Sequence, residues 1–333
     1  MIVLVTGASG FIGGALVRRL ERMPGIEVHG VARRPAAEIV PASCARYHRA
    51  DLSRAFTLDV DPDVVVHAAA LASPWGTRAA FERHNVEATR RVVAFCERRG
   101  RPRLVHLSST SVFYVAGDQR GLDEAATIGP TFLNDYARTK AASELVVADY
   151  TGRAVLVRPR AVFGPGDTVL FPRILRAARL GRLPLLERDG PKVLGDLIGI
   201  DALVDYLVQL VLHPDPAPAY NLTNAEPIEI ETLLLDVLAR LGLPRPTRRV
   251  PVRRALQVAG ALERLWRVAH LPGEPPATRF GIATLAWDKT FDVRRMLEDL
   301  GPPSVTLADG VDRFVAWQRA EWTPTPHRSA PGR

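Results

Sequence analysis

Residues 2–14, IVLVTGASGFIGG, constrain this chain more than any other stretch. IVLVT (2–6) is an unbroken apolar run of the length of a buried strand, and FIGGALVRRLERM (11–23) carries apolar residues at helical spacing. Gly7, Gly10 and Gly13 lie at and just beyond the junction. A strand that turns on glycine into a helix leaves the N–H groups of that helix's first turn facing outward, where an anion can sit. The first glycine permits the sharp turn, the second lets a pyrophosphate approach the backbone, and the third lets helix and sheet pack closely. A dinucleotide site is therefore predicted here, built on Gly7, Ser9, Gly10, Phe11, Ile12 and Gly13.

The chain that follows supports this. Short apolar runs at 28–32, 45–50, 64–67, 104–107 and 154–159 alternate with helical patterns near 79–99 and 135–149. Such alternation predicts an α/β fold, a doubly wound parallel sheet of the Rossmann type with helices on both faces. After Gly164 the texture changes: FGPGD (163–167) reads as a turn and 168–186 as strongly apolar with regular arginines. Residues 197–213 read as a strand and helix rejoining the first domain, and from 226 onward the chain is helical and Pro-punctuated. The predicted organisation is a nucleotide domain at 1–165, rejoined by 197–225. A smaller, mostly helical substrate domain covers 166–196 and 226–320, and 321–333 form a tail.

Nucleotide choice turns on the end of the second strand. An NAD site usually carries a carboxylate there for the ribose hydroxyls, whereas this chain has Arg33 and Arg34. Arginine suits the 2′-phosphate of NADP, so NADP is expected, with NAD the alternative. Asp51, followed by Leu52, is placed to accept a bond from the adenine amino group. Ala68 and Ala69 supply small residues where backbone must lie close to the nucleotide.

All but three of the 44 basic residues are arginine, and the exceptions are Lys140, Lys192 and Lys289. Lys140 stands four residues after Tyr136 in NDYARTK, on the same helix face. A phenol titrates near pH ~10, and a close ammonium favours the phenolate and tunes it toward acid/base work. Lysine can also reach a nicotinamide ribose where the rigid guanidinium fork fits poorly. LVHLSSTSVF (104–113) places a hydroxyl cluster at the carboxyl end of the fifth strand, where sheet and ligand crevice meet. Ser109 is the expected holder of a substrate oxygen, with Thr110 as the other candidate and Ser108 and Ser111 as turn caps.

TGASGFIG, DL (51–52), HAAA (67–70), the serine cluster, YARTK and RPRAVFGPGD (158–167) together resemble an extended short-chain dehydrogenase/reductase. The resemblance runs from residue 1 to about 320. It implies a Rossmann domain binding NAD(P), a Ser–Tyr–Lys triad carried by Ser109, Tyr136 and Lys140, and Pro159 and Val162 against the nicotinamide. Sugar-nucleotide members carry an arginine that grips the diphosphate, and this chain has Gly195 at that place. Residues 170–184 and 273–301 resemble instead the 3β-hydroxysteroid dehydrogenase-like branch, which includes 2-alkyl-3-oxoalkanoate reductases. The expected activity is thus interconversion of a secondary alcohol and a ketone on an apolar, sterol-like or long-chain β-keto or β-hydroxy substrate. A sugar-nucleotide 4-epimerase or reductase and a non-catalytic NAD(P)-sensing regulator are the alternatives. Trp75, Thr110, Phe113, Leu170 and Phe171 are the expected substrate contacts.

Charge decides little by itself. The net +8 comes from scattered arginines without a basic block and interleaved aromatics, so no nucleic-acid partner is expected. Residues 253–271 form a basic amphipathic stretch suited to weak contact with a membrane surface, and a homodimer fits the family resemblance. No metal site is expected. Cys44 and Cys96 make no CxxC pair, no signal-peptide pattern is visible, and no apolar run approaches the roughly 20 residues of a membrane span. The cytoplasm is the expected location.

Overall fold

The computed structural model describes residues 1–35 and 46–322. Cys44, the first residue of the strand expected at 45–50, and the tail from 323 onward lie outside the described residues. Seven parallel strands form the main sheet, in the order Ala219–Leu222, Ala154–Pro159, Arg103–Leu107, Val64–His67, Ile2–Thr6, Glu27–Ala32, Arg46–Arg49. The chain order reverses on the two sides of the first strand, which opens a crevice at the strands' carboxyl ends.

Alternation within the strands serves both faces. Val3 and Val5 point to one apolar layer with Leu16, Leu20, Leu203 and Leu207, while Leu4 points to the other with Val92, Phe95 and Leu104. The helices Phe11–Leu20 and Ile200–Leu212 pack on each other over the first layer. The helical stretch expected at 79–99 is present as Arg78–Phe81 and Ala88–Arg98, joined by a π-helical turn at Glu82–Glu87. The Tyr–Lys helix spans Asp135–Ala148, and Asn134 caps it by accepting from the Ala137 N–H at 2.9 Å.

A second, four-stranded sheet runs Ile228–Glu229, Leu194–Gly195, Lys289–Phe291, Gln119–Leu122. Its last strand comes from inside the expected nucleotide domain, so residues 119–122 leave that domain to extend the smaller sheet. A third core gathers Phe163, Phe171, Leu175, Val237 and Phe314. The last described helix, Leu307–Trp322, runs two residues into the expected tail, and Arg179 lies 3.5 Å over the Trp322 ring. The amphipathic stretch forms the helix Val252–Val268, which leaves Val258, Leu265 and Val268 exposed. Among the described residues, no helix is long and apolar enough to cross a membrane.

Candidate active site

The glycine turn makes a cradle that side chains would fill. Gly7 adopts φ 71°, and a Cβ there would fall 2.8 Å from the Ala69 nitrogen; a Cβ on Gly13 would fall 2.3 Å from the Gly7 carbonyl oxygen. The first helix starts at Gly10 with no side chain capping it, leaving that N-terminus to a phosphate. Gly7, Ser9, Gly10, Arg33, Arg34, Asp51, Leu52, Ala68 and Ala69 all line one cleft, joined by His84. This donor set fits a dinucleotide. Phe11 and Ile12 are half-buried at the helix start, and Gly13 is buried behind the loop as the packing glycine.

The two arginines differ. Arg34 donates to the Ser9 carbonyl at 2.6 Å, and Tyr47 donates to the Arg34 carbonyl at 2.6 Å, so Arg34 braces the glycine loop. The Arg33 guanidinium instead faces Asp51 and His84. Burial would raise the Asp51 carboxyl, but two bonds from Ser53 (N–H 3.0 Å, hydroxyl 2.8 Å), with Arg33 and His84 near, hold it below its ordinary value.

At the other end of the crevice, the Ser109 hydroxyl lies close enough to the Tyr136 phenol to favour its phenolate. Ser109 Oγ also accepts from the Ser111 N–H at 3.2 Å, which leaves its own proton to give. Thr110 is turned away. It is buried, bonded to the Tyr114 hydroxyl at 3.0 Å and 3.4 Å from the Pro159 carbonyl.

Lys140 lies one turn after Tyr136 and donates to the Leu107 carbonyl. Burial pushes its ammonium down to about 8, against the pull of Glu144. The expectation that Lys140 lowers the phenol is not met in this arrangement. Burial, with Tyr114 near, pushes Tyr136 up despite the nearby Ser109 hydroxyl, while the ammonium donates to the Leu107 carbonyl. Beside Lys140 stand His67, held down to about 3 by burial and then by Lys140, and His106, also well below its ordinary value. Both imidazoles are neutral at pH 7.

The polar frame around these groups escaped sequence reasoning. His67 bonds Thr6 Oγ1 (2.7 Å) and Thr89 Oγ1 (3.0 Å), and the Ala69 N–H donates to Thr6 Oγ1. Asn85, in the π-helical turn, accepts from the Leu71 N–H at 2.7 Å and donates to Thr139 Oγ1 at 3.0 Å. These bonds tie the Ala68–Ala69 wall of the nucleotide cleft to the helix that carries Lys140.

Known proteins give the same reading. A family model described as the NAD dependent epimerase/dehydratase family matches residues 3–224. The chain belongs to this family. A 2-alkyl-3-oxoalkanoate reductase of Stenotrophomonas maltophilia (strain K279a) is 34% identical, covering 95% of this chain and 99% of that protein. A 4-hydroxy-2-methyl-3-oxo-4-farnesyl-3,4-dihydroquinoline-1-oxide ketoreductase of Stigmatella aurantiaca is 29% identical, covering 99% and 100%. The UDP-glucuronic acid 4-epimerase of Bacillus cereus, solved in complex with NAD, shares the fold at a TM-score of 0.73 and 19% identity, covering 97% of this chain and 100% of that one. This epimerase/dehydratase member is thus an enzyme, an oxidoreductase of the extended short-chain type in an NAD-dependent family.

The substrate contacts need further correction. Phe113 is buried against Phe291 and beneath Arg158, and Phe171 is buried between Phe163 and Phe314. Both are core residues, since apolar composition does not distinguish a pocket wall from a core. Leu170 is half-buried at the start of the Phe171–Arg179 helix and packs on that core. Trp75 is half-buried beside the Tyr–Lys helix, with Asn134 donating to Pro74 at 3.4 Å and Arg267 lying 5.1 Å over its ring. Pro159 is buried at the end of its strand, and Val162 is half-buried in a two-residue strand beside Ile198–Gly199. Among the described residues, no cluster of side chains is arranged to hold a metal.

Proposed function

We propose that this enzyme interconverts a ketone and a secondary alcohol on a long-chain or sterol-like substrate, with Tyr136 as the general acid/base and NADP as the preferred nucleotide. The Ser109–Tyr136 hydroxyl pair at a strand's carboxyl end, with Lys140 on the same helix face, carries the reading. The bound nucleotide supplies or accepts the hydride. In reduction, Ser109 Oγ holds the carbonyl oxygen and Tyr136 Oη gives it a proton; in oxidation, the proton returns to Tyr136 Oη. Arg33, in the cleft wall where NAD sites usually place a carboxylate, supports NADP.

The substrate class follows from the relatives' names and from what the site lacks for a nucleotide diphosphate. A Cβ at position 195 would fall 2.8 Å from Ile230 Cδ1, so this backbone cannot carry the family arginine without moving Ile230. Arg173 is held by Glu274 at 2.8 and 2.9 Å, and Arg179 lies on Trp322, so neither stands in.

Tyr136→Phe tests the mechanism. Steady-state turnover should fall by about 10²–10⁴-fold, while NADPH binding, followed by fluorescence titration, stays unchanged. Wild-type turnover in the variant would remove Tyr136 from the reaction.

A further inference from the structure

We propose that Arg160 anchors a carboxylate of the substrate, so that this enzyme selects 3-oxo and 3-hydroxy acids over neutral ketones and alcohols. The inference rests on the ketone–alcohol reading and deepens it. Arg160 is only 4% exposed and follows Pro159 at the end of its strand. Its N–H donates to the Leu222 carbonyl at 3.0 Å, and the next residue, Ala161, turns the chain with φ 42°. The position is fixed by backbone, yet the guanidinium has no acidic partner within ion-pair distance among the described residues, and its buried Nε has no hydrogen-bond partner.

The neighbouring cations are paired or bonded. Arg158, two residues earlier, pairs with both oxygens of Glu144 at 2.9 and 2.7 Å. Lys289 donates to the carbonyls of Val115 (3.1 Å) and Gly117 (2.6 Å) and to Gln119 Oε1 (2.8 Å). Arg120 is paired with Asp288, and Arg188 with Asp118. A buried charge with no bonded countercharge is costly, and such a group calls for an explanation.

Its location says what arrives. Arg160 lies over the Tyr114 ring, 5.3 Å from the centroid, and its Nη2 is 3.7 Å from where a Cβ at Gly195 would stand. Tyr114 bonds Thr110, the neighbour of Ser109, and Tyr114 is near enough to Tyr136 to raise the phenol's pKa. The guanidinium therefore sits one side chain removed from the reacting hydroxyls. In a 3-oxo acid the carboxylate is two carbons from the ketone, a spacing that suits a cation next to an oxygen-holding pair. The planar fork matches a carboxylate bidentately. Burial pushes the Asp196 carboxyl up to about 6, although Arg160 is close enough to favour its carboxylate. Asp196 accepts from the Phe291 N–H at 2.8 Å and forms no ion pair with the guanidinium. A single guanidinium matches a monoanion, whereas a diphosphate needs a second cation that the paired neighbours do not offer.

The test compares a 2-alkyl-3-hydroxy acid with its methyl ester, both stable, as substrates for NADP⁺-linked oxidation by the wild type, Arg160→Gln and Arg160→Lys. Wild type should favour the acid by about 100-fold or more in kcat/KM. Arg160→Gln should lose that preference, chiefly through KM for the acid, with ester kcat/KM and the NADPH Kd within about threefold of wild type. Arg160→Lys should keep an intermediate preference and, with thermal unfolding as the check of fold, carries the comparison if the glutamine variant unfolds. Equal use of acid and ester by wild type, equal losses on both, or a weakened NADPH affinity would overturn the assignment. If neither compound is turned over, the ketone–alcohol reading fails, and calorimetric binding of acid and ester to the NADP⁺ complex still decides on Arg160. Acid binding that exceeds ester binding and is lost in Arg160→Gln supports it. Indifference to the charge, or Arg160-dependent binding of UDP in place of the acid, overturns it.

Discussion

Lys140 should cost the nucleotide-free enzyme stability at neutral pH, and Lys140→Met should relieve that cost. Burial lowers the ammonium from 10.5 to about 8, with Lys140 only 2% exposed. At ~1.4 kcal/mol per unit, that shift is on the order of 3 kcal/mol against the folded state. Below pH 8 the lysine is charged in both states, so the whole cost is present. Between about 8 and 10.5 the folded state releases its proton while the unfolded chain keeps it, so stability rises with pH. Above 10.5 the cost is gone. Methionine fills nearly the same volume but leaves the Leu107 carbonyl without its donor, which costs about 1 kcal/mol at every pH. The variant should therefore be about 2 kcal/mol more stable at pH 7 and lose that advantage by pH 10. Urea unfolding at pH 7, 8, 9 and 10 measures the difference, in which Lys289, also pushed down to about 8, cancels. A difference that does not change with pH, or a wild type more stable at pH 7, would refute the reasoning.

Two further outcomes follow from side chains already placed. Arg33→Ala should weaken NADPH by ~1.5–3 kcal/mol and leave NADH unchanged, whereas Arg34→Ala, which frees the Ser9 carbonyl, should weaken both nucleotides equally. Equal losses at Arg33, read by fluorescence titration, would assign it to the general surface. Arg158→Met should destabilise by about 3–5 kcal/mol because it strands the buried Glu144 carboxylate, and adding Glu144→Leu should recover most of that. Thermal or urea unfolding of the single and double variants gives the answer, and an additive double loss would contradict it.

The main sheet was legible because its strands are buried on both faces and so read as continuous apolar runs; Val64–His67 is buried throughout. The placement of Ser109 at a strand end and of Tyr136 and Lys140 on one helix face was legible because local periodicity fixes it. Gln119–Leu122 was not: QRGL is polar and half-exposed, and it becomes a strand only through pairing with residues 289–291. Phe113 and Phe171 were misplaced because transfer from water rewards a core and a pocket alike, and only three-dimensional neighbours tell them apart. Asn85 and His67 gave no signal of their own. His67 ends an apolar strand and Asn85 lies in a charged turn, and their partners Thr89 and Thr139 are set by packing rather than spacing.

Lys289, however, carried a signal that went unused. A chain that takes arginine for nearly every basic position has three lysines, and rarity alone singles out all three. Lys192 is an exposed partner of Glu229. The other two are buried, and each meets backbone oxygens rather than a carboxylate. The reason is geometric. Lys289 gathers two carbonyls and an amide oxygen from the turn at 115–119, and a compact ammonium with three divergent donors meets acceptors arranged around a point. A planar guanidinium of the kind at Arg158 instead needs two oxygens side by side, which Glu144 provides. By the same reasoning, the Arg160 guanidinium suits a partner with two oxygens side by side, and among the described residues it forms no ion pair.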